Sequence, residues 1–344
     1  MLLIVNYHYF GSEQKYERGI YPTSPERFKK QLELLGENFK FISQGNILGA
    51  IEKNKELPEK SCLITLDDGL ISQYEEALPI LDELNIPAIF FVNGVPYDKY
   101  EPLLVSKIHW CRAHIKPKEF LEKVKENYLK ITREEFKTEA FDVSDEELKK
   151  HYYYDIPDEA RLKFALDKSS LNQEVKKNII DNIFSGLVGD EKEFCKSFYM
   201  THEQIKDLHK RDYLGSHTYS HKALGLISVE ECKNEISNLN AIKNILGDEN
   251  VNIQSISYPY GNSEVVPANI ANLAKSAGFK LGFTMERSLN RGLSNPFHFA
   301  RFDTNDVPGG KSPYFEIRGG NIRIINNEMS LFRKDFFREY ARDK

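Results

Sequence analysis

Over the first ninety-odd positions, short apolar runs alternate with amphipathic stretches. Leu2–Tyr7 is an apolar run of strand length. Pro25–Leu35 places Phe28, Leu32 and Leu35 at helical spacing, behind Ser24 as an N-cap. Cys62–Leu66 is a second buried strand. Tyr74–Leu84 is a second helix, with Ala77, Leu78, Leu81 and Leu84 on one side, and Ile86–Val92 is a third strand. This β-α-β-α-β rhythm predicts a parallel sheet with helices outside it. From Asp98 to Lys196 the text turns charged, Lys/Glu-rich and helical, as in Pro117–Leu129, Ser144–Tyr153 and Pro157–Leu166. That stretch is too long for a structureless loop and reads as a helical insertion.

The rhythm resumes at Thr201, where Thr201 and Gln204 form a capping-box pattern. Tyr213–Ser216, Ile253–Ser257, Lys280–Thr284 and Phe297–Phe302 read as strands. Ser228–Leu246 reads as one long amphipathic helix closed by Gly247, and Pro267–Ala277 as another helix. About seven parallel-type strands predict a barrel-like α/β domain more than an open sheet. Tyr314–Ile325 reads as a hairpin around Gly319-Gly320. Leu331–Lys344 reads as a helix docked on the domain, with attachment to a membrane surface or partner as the alternative.

Composition narrows the class. A chain of 344 residues with 40% hydrophobic and 29% charged positions has a normal folded balance. Its net charge of −5 argues against a nucleic-acid binder. No apolar run approaches the roughly 20 residues of a membrane span. The opening Met1–Val5 lacks the basic flank of a secretory signal. Cys62, Cys111, Cys195 and Cys232 are scattered, which suggests neither a disulfide framework nor a cysteine zinc site. The expectation is a reduced, cytoplasmic protein.

Three segments at predicted strand ends carry candidate chemistry, since active-site loops of parallel α/β folds gather there. In Leu63–Gly69, Asp67 and Asp68 directly follow a buried strand, where two carboxylates are costly without partners. A helix-capping turn is the plainer alternative. In Gly215–His221, His217 and His221 stand at i and i+4, about 5–6 Å apart on one face of a helical turn, a spacing suited to one metal ion. With a carboxylate from another strand end, the set becomes a facial three-ligand site with open positions. In Ser257–Gly261, Pro259 and Gly261 mark a sharp turn that can aim a backbone N–H at an oxyanion.

Thr65-Leu-Asp-Asp-Gly69, Ser216-His-Thr-Tyr-Ser-His221 and Tyr258-Pro-Tyr-Gly261 resemble the first three motifs of the polysaccharide deacetylases, the NodB-homology or carbohydrate esterase 4 family. The flanks resemble it too, over about residues 1–97 and 200–305, the insertion having no part. The resemblance implies a deformed (β/α)7 barrel at 1–97 and 200–310, interrupted by a helical insertion or lid at 98–199 and followed by the hairpin and helix of 311–344. It implies a divalent metal, most commonly Zn2+ with Co2+, Ni2+, Mn2+ or Fe2+ as alternatives, held by Asp68, His217 and His221. Asp67 would be the general base, and the Tyr260 backbone N–H would face the oxyanion. Tyr258, Pro259 and Gly261 would lie beside the substrate.

Two departures stand out. The family's third motif often carries an Arg two residues before the Pro, bracing the catalytic aspartate. Ser257 stands there in this chain, and Arg301 is the candidate substitute. The family's late motif supplies a His as general acid after a D-x-x-D segment. Asp303–Asp306 resembles that segment, but no His follows, so His298 and His8 are the candidates for the acid. Trp110 and Tyr152–Tyr154 in the insertion are candidates for stacking on sugars, the alternative being packing within it.

The expected activity is hydrolysis of an N-acyl group, N-acetyl foremost, from a sugar. A nucleotide-linked or lipid-linked glycan precursor, in the cytoplasm or at the inner membrane face, is the expected substrate. The alternatives are a deformylase, another non-peptide amide hydrolase, or a non-catalytic carbohydrate-binding protein of a glycan assembly pathway.

Overall fold

Apolar runs become strands where alternate residues find two different environments. In the computed structural model, which describes residues 1–136, 143–151, 156–167, 171–262, 265–319 and 321–325, this division is clean. Eight strands form one sheet: β1 (Leu2–Tyr7), β2 (Lys40–Phe41), β3 (Ser61–Leu66), β4 (Ala88–Val92), β5 (Leu214–Ser216), β6 (Ser255–Ser257), β7 (Leu281–Phe283) and β8 (Phe302–Asp303). Their order is β7-β6-β5-β4-β3-β1-β8, with β2 beside β3, and every pairing is parallel. Leu2, Ile4, Leu63, Ile89, Phe91, Leu281 and Phe283 share one inner cluster. Their strand neighbours Leu3, Val5, Ile64, Phe90 and Val92 pack outward with Phe28, Leu32 and Leu35 of the helix Pro25–Gly36. Each such side chain, fully buried, contributes about 1.5–3 kcal/mol.

The predicted strand Phe297–Phe302 is instead a strap between the sheet's two edges. Phe299 bonds to β7, donating from N to Gly282 O at 2.9 Å and accepting from Thr284 N at 2.8 Å. Phe302 and Asp303 pair with Val5 and Asn6 of β1. The strap thus curls the sheet into the predicted barrel.

Local signals also hold. The Ser24 hydroxyl accepts from Arg27 N at 3.2 Å, Thr201 and Gln204 form the reciprocal box, and Gly247 ends its helix in the left-handed region. Two helix readings need correction. The helix expected over Tyr74–Leu84 begins as a π-turn, Gln73–Ala77, because Pro79 has no N–H to continue the ladder. Ser228–Leu246 is two helices, Val229–Ser237 and Asn240–Leu246, since the Asn238 side chain accepts from Asn240 N at 3.3 Å and competes with the backbone ladder. Strand β2, only Lys40 and Phe41, gave no apolar run to read. The hairpin is present as β9 (Phe315–Arg318) and β10 (Asn321–Ile324). Leu331–Lys344 and Tyr152–Tyr154 lie outside the described residues.

The chain divides into two compact units, one of residues 1–13, 22–101 and 195–344, the other of 14–21 and 102–194. Within the second, the Lys107 ammonium is buried between Asp181 at 2.7 Å and Glu191 at 2.8 Å, and Arg112 pairs with Glu159. Trp110 stacks on His114 at 4.2 Å and meets Phe194 edge-on at 4.9 Å, so its ring is occupied by packing. All four cysteines are free and buried. Among the described residues no helix is long and apolar enough to cross a membrane.

After β8 the carboxylate of Asp303 caps the turn Thr304–Asp306, and Asp306 accepts from Asp303 N at 3.2 Å. Burial pushes the Asp306 carboxyl up to about 6, with Asp303 adding to the shift and Arg287, 3.0 Å away, opposing it. A raised folded-state pKa favours folding most fully below the ordinary aspartate value of about 4. That contribution is lost as pH rises through about 6. Asp306→Asn is therefore expected to flatten the fall in thermal midpoint between pH 4 and pH 7. Melts of both proteins across that range would contradict this if their pH dependence were identical.

Candidate active site

The inward register of β1 carries Ile4, then Asn6, then His8, so the strand changes from apolar to polar as it reaches the carboxyl end of the barrel. β3 does the same with Leu63, Thr65 and Asp67. Arg301 follows Phe299 inward along the strap. These phases meet in one buried network. The Arg301 guanidinium, fully buried, donates to Asp67 Oδ1 at 2.9 Å and to Oδ2 at 2.7 Å. Its remaining donors reach Thr284 O at 3.0 Å, Asn6 Oδ1 at 2.8 Å, Thr65 Oγ1 at 3.2 Å and Ser257 Oγ at 2.7 Å. Asn6 Nδ2 and Ser257 Oγ donate to Asp67 Oδ2 at 3.0 and 3.1 Å. Burial alone would raise the Asp67 carboxyl, but Arg301 and His217 outweigh it and hold the group well below the usual carboxylate range. Ser257 therefore stands where a short side chain leaves room for a guanidinium arriving from the strap.

Asp68, at φ 81°, turns the other way. Its Oδ1 is buried and accepts no hydrogen bond among the described residues. Nε2 of His217 and Nε2 of His221 each lie 3.5 Å from it. Among the described residues, Asp68, His217 and His221 form the one cluster of three or more such donors with ligand atoms within 4.8 Å of one another. His217 Nδ1 lies 2.9 Å from Ser257 O, which can only accept, so Nδ1 carries a proton and Nε2 is the atom turned to Asp68. Burial and the neighbouring His217 push the His221 imidazole down to about 4, leaving it neutral with one ring nitrogen's lone pair available. An orphaned carboxylate oxygen and two converging imidazoles suit a divalent cation.

The two histidines do not share a helical turn. The loop between them is irregular, with Thr218 at φ 64° and His221 at φ 62°, and the rings meet 4.8 Å apart edge-on. From β4, Asn93 Nδ2 donates to His217 O, while Gly94 N and Val95 N donate to Tyr219 O at 2.9 Å.

The third segment behaves as a sharp turn. Gly261 N donates to Pro259 O at 2.7 Å across Tyr260 at φ 61°. A side chain on Gly261 would place Cβ 2.4 Å from Met285 N. Tyr260 is half-exposed and its ring meets His221 at 5.0 Å. Tyr258 is fully buried and its hydroxyl donates to Phe297 O at 3.1 Å, over Gly282, where a Cβ would stand 2.1 Å from that hydroxyl. Pro259 is buried as well.

His8 is half-buried and close enough to Asp67 and His221 to act on both charges. His298 is half-buried, its imidazole pushed down by burial, and it stands three residues before Arg301, where the chain leaves a turn. Asn6 and Thr65 escaped the sequence reading because each is one polar residue inside an apolar strand. Their shared inward phase with Asp67 was the available signal.

A curled parallel barrel with carboxylates and imidazoles at the carboxyl ends of its strands is the plan of a barrel hydrolase. The model of the polysaccharide deacetylase family matches residues 54–131 and 175–282, more than half of the chain, and the chain belongs to that family, whose enzymes act on non-peptide amide C–N bonds. The matched ranges run into the helical stretch from both sides, so the likeness extends beyond the motif-bearing segments 1–97 and 200–305. Among solved structures, the chain is similar to the Streptococcus pyogenes deacetylase PplD in complex with acetate, at 16% identity over 88% of this chain and 91% of that one, with a TM-score of 0.51. It is also similar to IcaB from Ammonifex degensii, at 18% identity over 88% and 90%, with a TM-score of 0.48. At such identities the likeness concerns the fold alone. No curated protein matches the chain significantly.

Proposed function

We propose that the chain is a metal-dependent deacetylase that removes an N-acyl group, N-acetyl foremost, from an aminosugar in a glycan or in a nucleotide-linked or lipid-linked precursor. The observation that carries this reading is the orphaned Asp68 Oδ1 facing two imidazole nitrogens at 3.5 Å, beside a second carboxylate kept ionised. Asp68, His217 and His221 would hold the ion, Zn2+ being the best match to two imidazoles and a carboxylate. When bound, it would supply Lewis acidity, activating a water and polarising the acyl carbonyl. Asp67 takes the proton of the attacking water, oriented for this by Arg301, Asn6 and Ser257. The Tyr260 backbone, at the tip of its turn, faces the developing oxyanion. His8, on the inward register at the open end of the barrel, returns a proton to the leaving amine. The products are a free amino sugar and a carboxylic acid.

One experiment tests the arrangement. Elemental analysis and acyl release, from N-acylated sugars in free, nucleotide-linked and lipid-linked form, are measured for wild type, His217→Ala and His8→Ala. Wild type is expected to hold one divalent ion per chain and release acetate. His217→Ala should lose both, whereas His8→Ala should keep the ion and lose about 10²–10⁴-fold in release. A wild-type chain that takes up no divalent metal under any loading condition would sink the reading, and unchanged release by His8→Ala would remove that residue from its role.

A further inference from the structure

The loop that carries both imidazoles is pinned from β4 on one side. Its other support comes from the helix Val229–Ser237. Glu235 on that helix is buried at 5% exposure, and among the described residues no cation pairs with it. The nearby Lys222 ammonium pairs with Glu231 instead, at 2.6 Å. A carboxylate left in such a place is costly unless hydrogen bonds use it. Glu235 uses both oxygens on one residue of the loop: Ser220 N donates to Oε2 at 2.8 Å, and Ser220 Oγ donates to Oε1. The Glu235 backbone contributes a third bond, its carbonyl accepting from Tyr219 N at 2.9 Å.

That third bond depends on the helix break. In an unbroken helix the Glu235 carbonyl would accept from the residue four positions on, Leu239. Leu239 N donates to Ser237 O at 2.9 Å instead, because the chain turns at Asn238, where ψ is 86°. The freed carbonyl is one of the unsatisfied last-turn groups of any helix, and the loop supplies its donor.

We infer that Glu235 is a positioning residue for the metal centre, clamping Tyr219 and Ser220 so that His217 and His221 converge. This rests on the metal reading proposed above. Thr218 and His221 are held in the left-handed region, where non-glycine residues are strained, so the loop needs external bonds to keep that shape. Glu235 holds the loop backbone in place, as partners of ligating residues commonly do in metal sites. Its bonds go to Tyr219 and Ser220, which lie between the two imidazoles in the chain.

The test compares wild type, Glu235→Ala and Glu235→Gln by competition titration of Zn2+ against a chromophoric chelator, and by the absorption spectrum of the Co2+-loaded chains. The glutamine amide can accept from Ser220 N and donate to Ser220 Oγ, so E235Q is expected to stay close to wild type. E235A is expected to bind Zn2+ about 10- to 100-fold more weakly and to shift the Co2+ spectrum. Should E235A fail to fold, Ser220→Ala removes one of the clamp's bonds and is read by the same titration, with a smaller loss expected. Equal affinity and an unchanged spectrum in a metal-binding E235A, or in S220A where E235A does not fold, would overturn the inference alone. A wild-type chain that takes up no metal would overturn the site reading and this inference together.

Discussion

Replacing Arg301 with methionine is expected to cost about 3–5 kcal/mol of folding stability, because it leaves a buried carboxylate without its cation. The expected loss is large for a geometric reason. Arg301 and Asp67 are both almost wholly buried, and the guanidinium meets the carboxylate through two parallel bonds of 2.9 and 2.7 Å. Neither partner has water as an alternative. Chemical denaturation measures the loss, and a change under about 1 kcal/mol, the range of an exposed ion pair, would show that the pair is not a buried brace. A second variant separates charge from packing. The Ser257 hydroxyl already touches both partners, at 2.7 Å from Arg301 and 3.1 Å from Asp67. Ser257→Arg combined with Arg301→Ser moves the cation to the position that the family's third motif often gives it. The double variant is expected to recover part of the stability that Arg301→Ser loses alone. Failure to recover any would mean that the two positions are not equivalent.

Asp67→Asn should leave the bound metal in place and lower acyl release by about 10²–10⁴-fold, the usual contribution of a general base. The amide keeps one oxygen for Arg301 and nearly the same volume, but it leaves a buried guanidinium without its counter-charge, so a loss of stability of the same order as in Arg301→Met is expected and both readings are taken on folded protein. What disappears is the ability to take a proton. The measurement is paired, with metal content and acetate release on one preparation. Retained metal with undiminished release would remove Asp67 from the role, and lost metal would show that this carboxylate belongs to the ligand set rather than beside it.

The parts of this molecule that could be read from sequence are those where local chemistry is lopsided. Four-to-seven-residue apolar runs such as Leu2–Tyr7 and Ile86–Val92 have no stable place except a buried parallel strand. Carboxylates and imidazoles straight after such strands stand out because burial makes them costly. Arg301 was legible as a candidate because a cation was missing at residue 257. The convergence of Asn6, Thr65 and Ser257 on one carboxylate was not, since it depends on inward phase in three separate strands. Nor was the side that His298 takes, because the chain turns at residues 296–297 and the alternation of a strand does not run through them. The break at Asn238 was hidden because the amphipathic pattern continues through it, and only the competing side-chain bond reveals the interruption.

The strap gives the enzyme a schedule. A chain grows from its amino end, and its amino-terminal parts tend to fold first. Asp67, His217 and His221 are therefore made well before Arg301, which lies 234 residues after Asp67. Until the strap docks, the emerging barrel has an open edge and an aspartate whose counter-charge has not yet left the ribosome. Closing the barrel and giving Asp67 its counter-charge are one event, so a chain interrupted before residue 301 leaves that carboxylate without its cation.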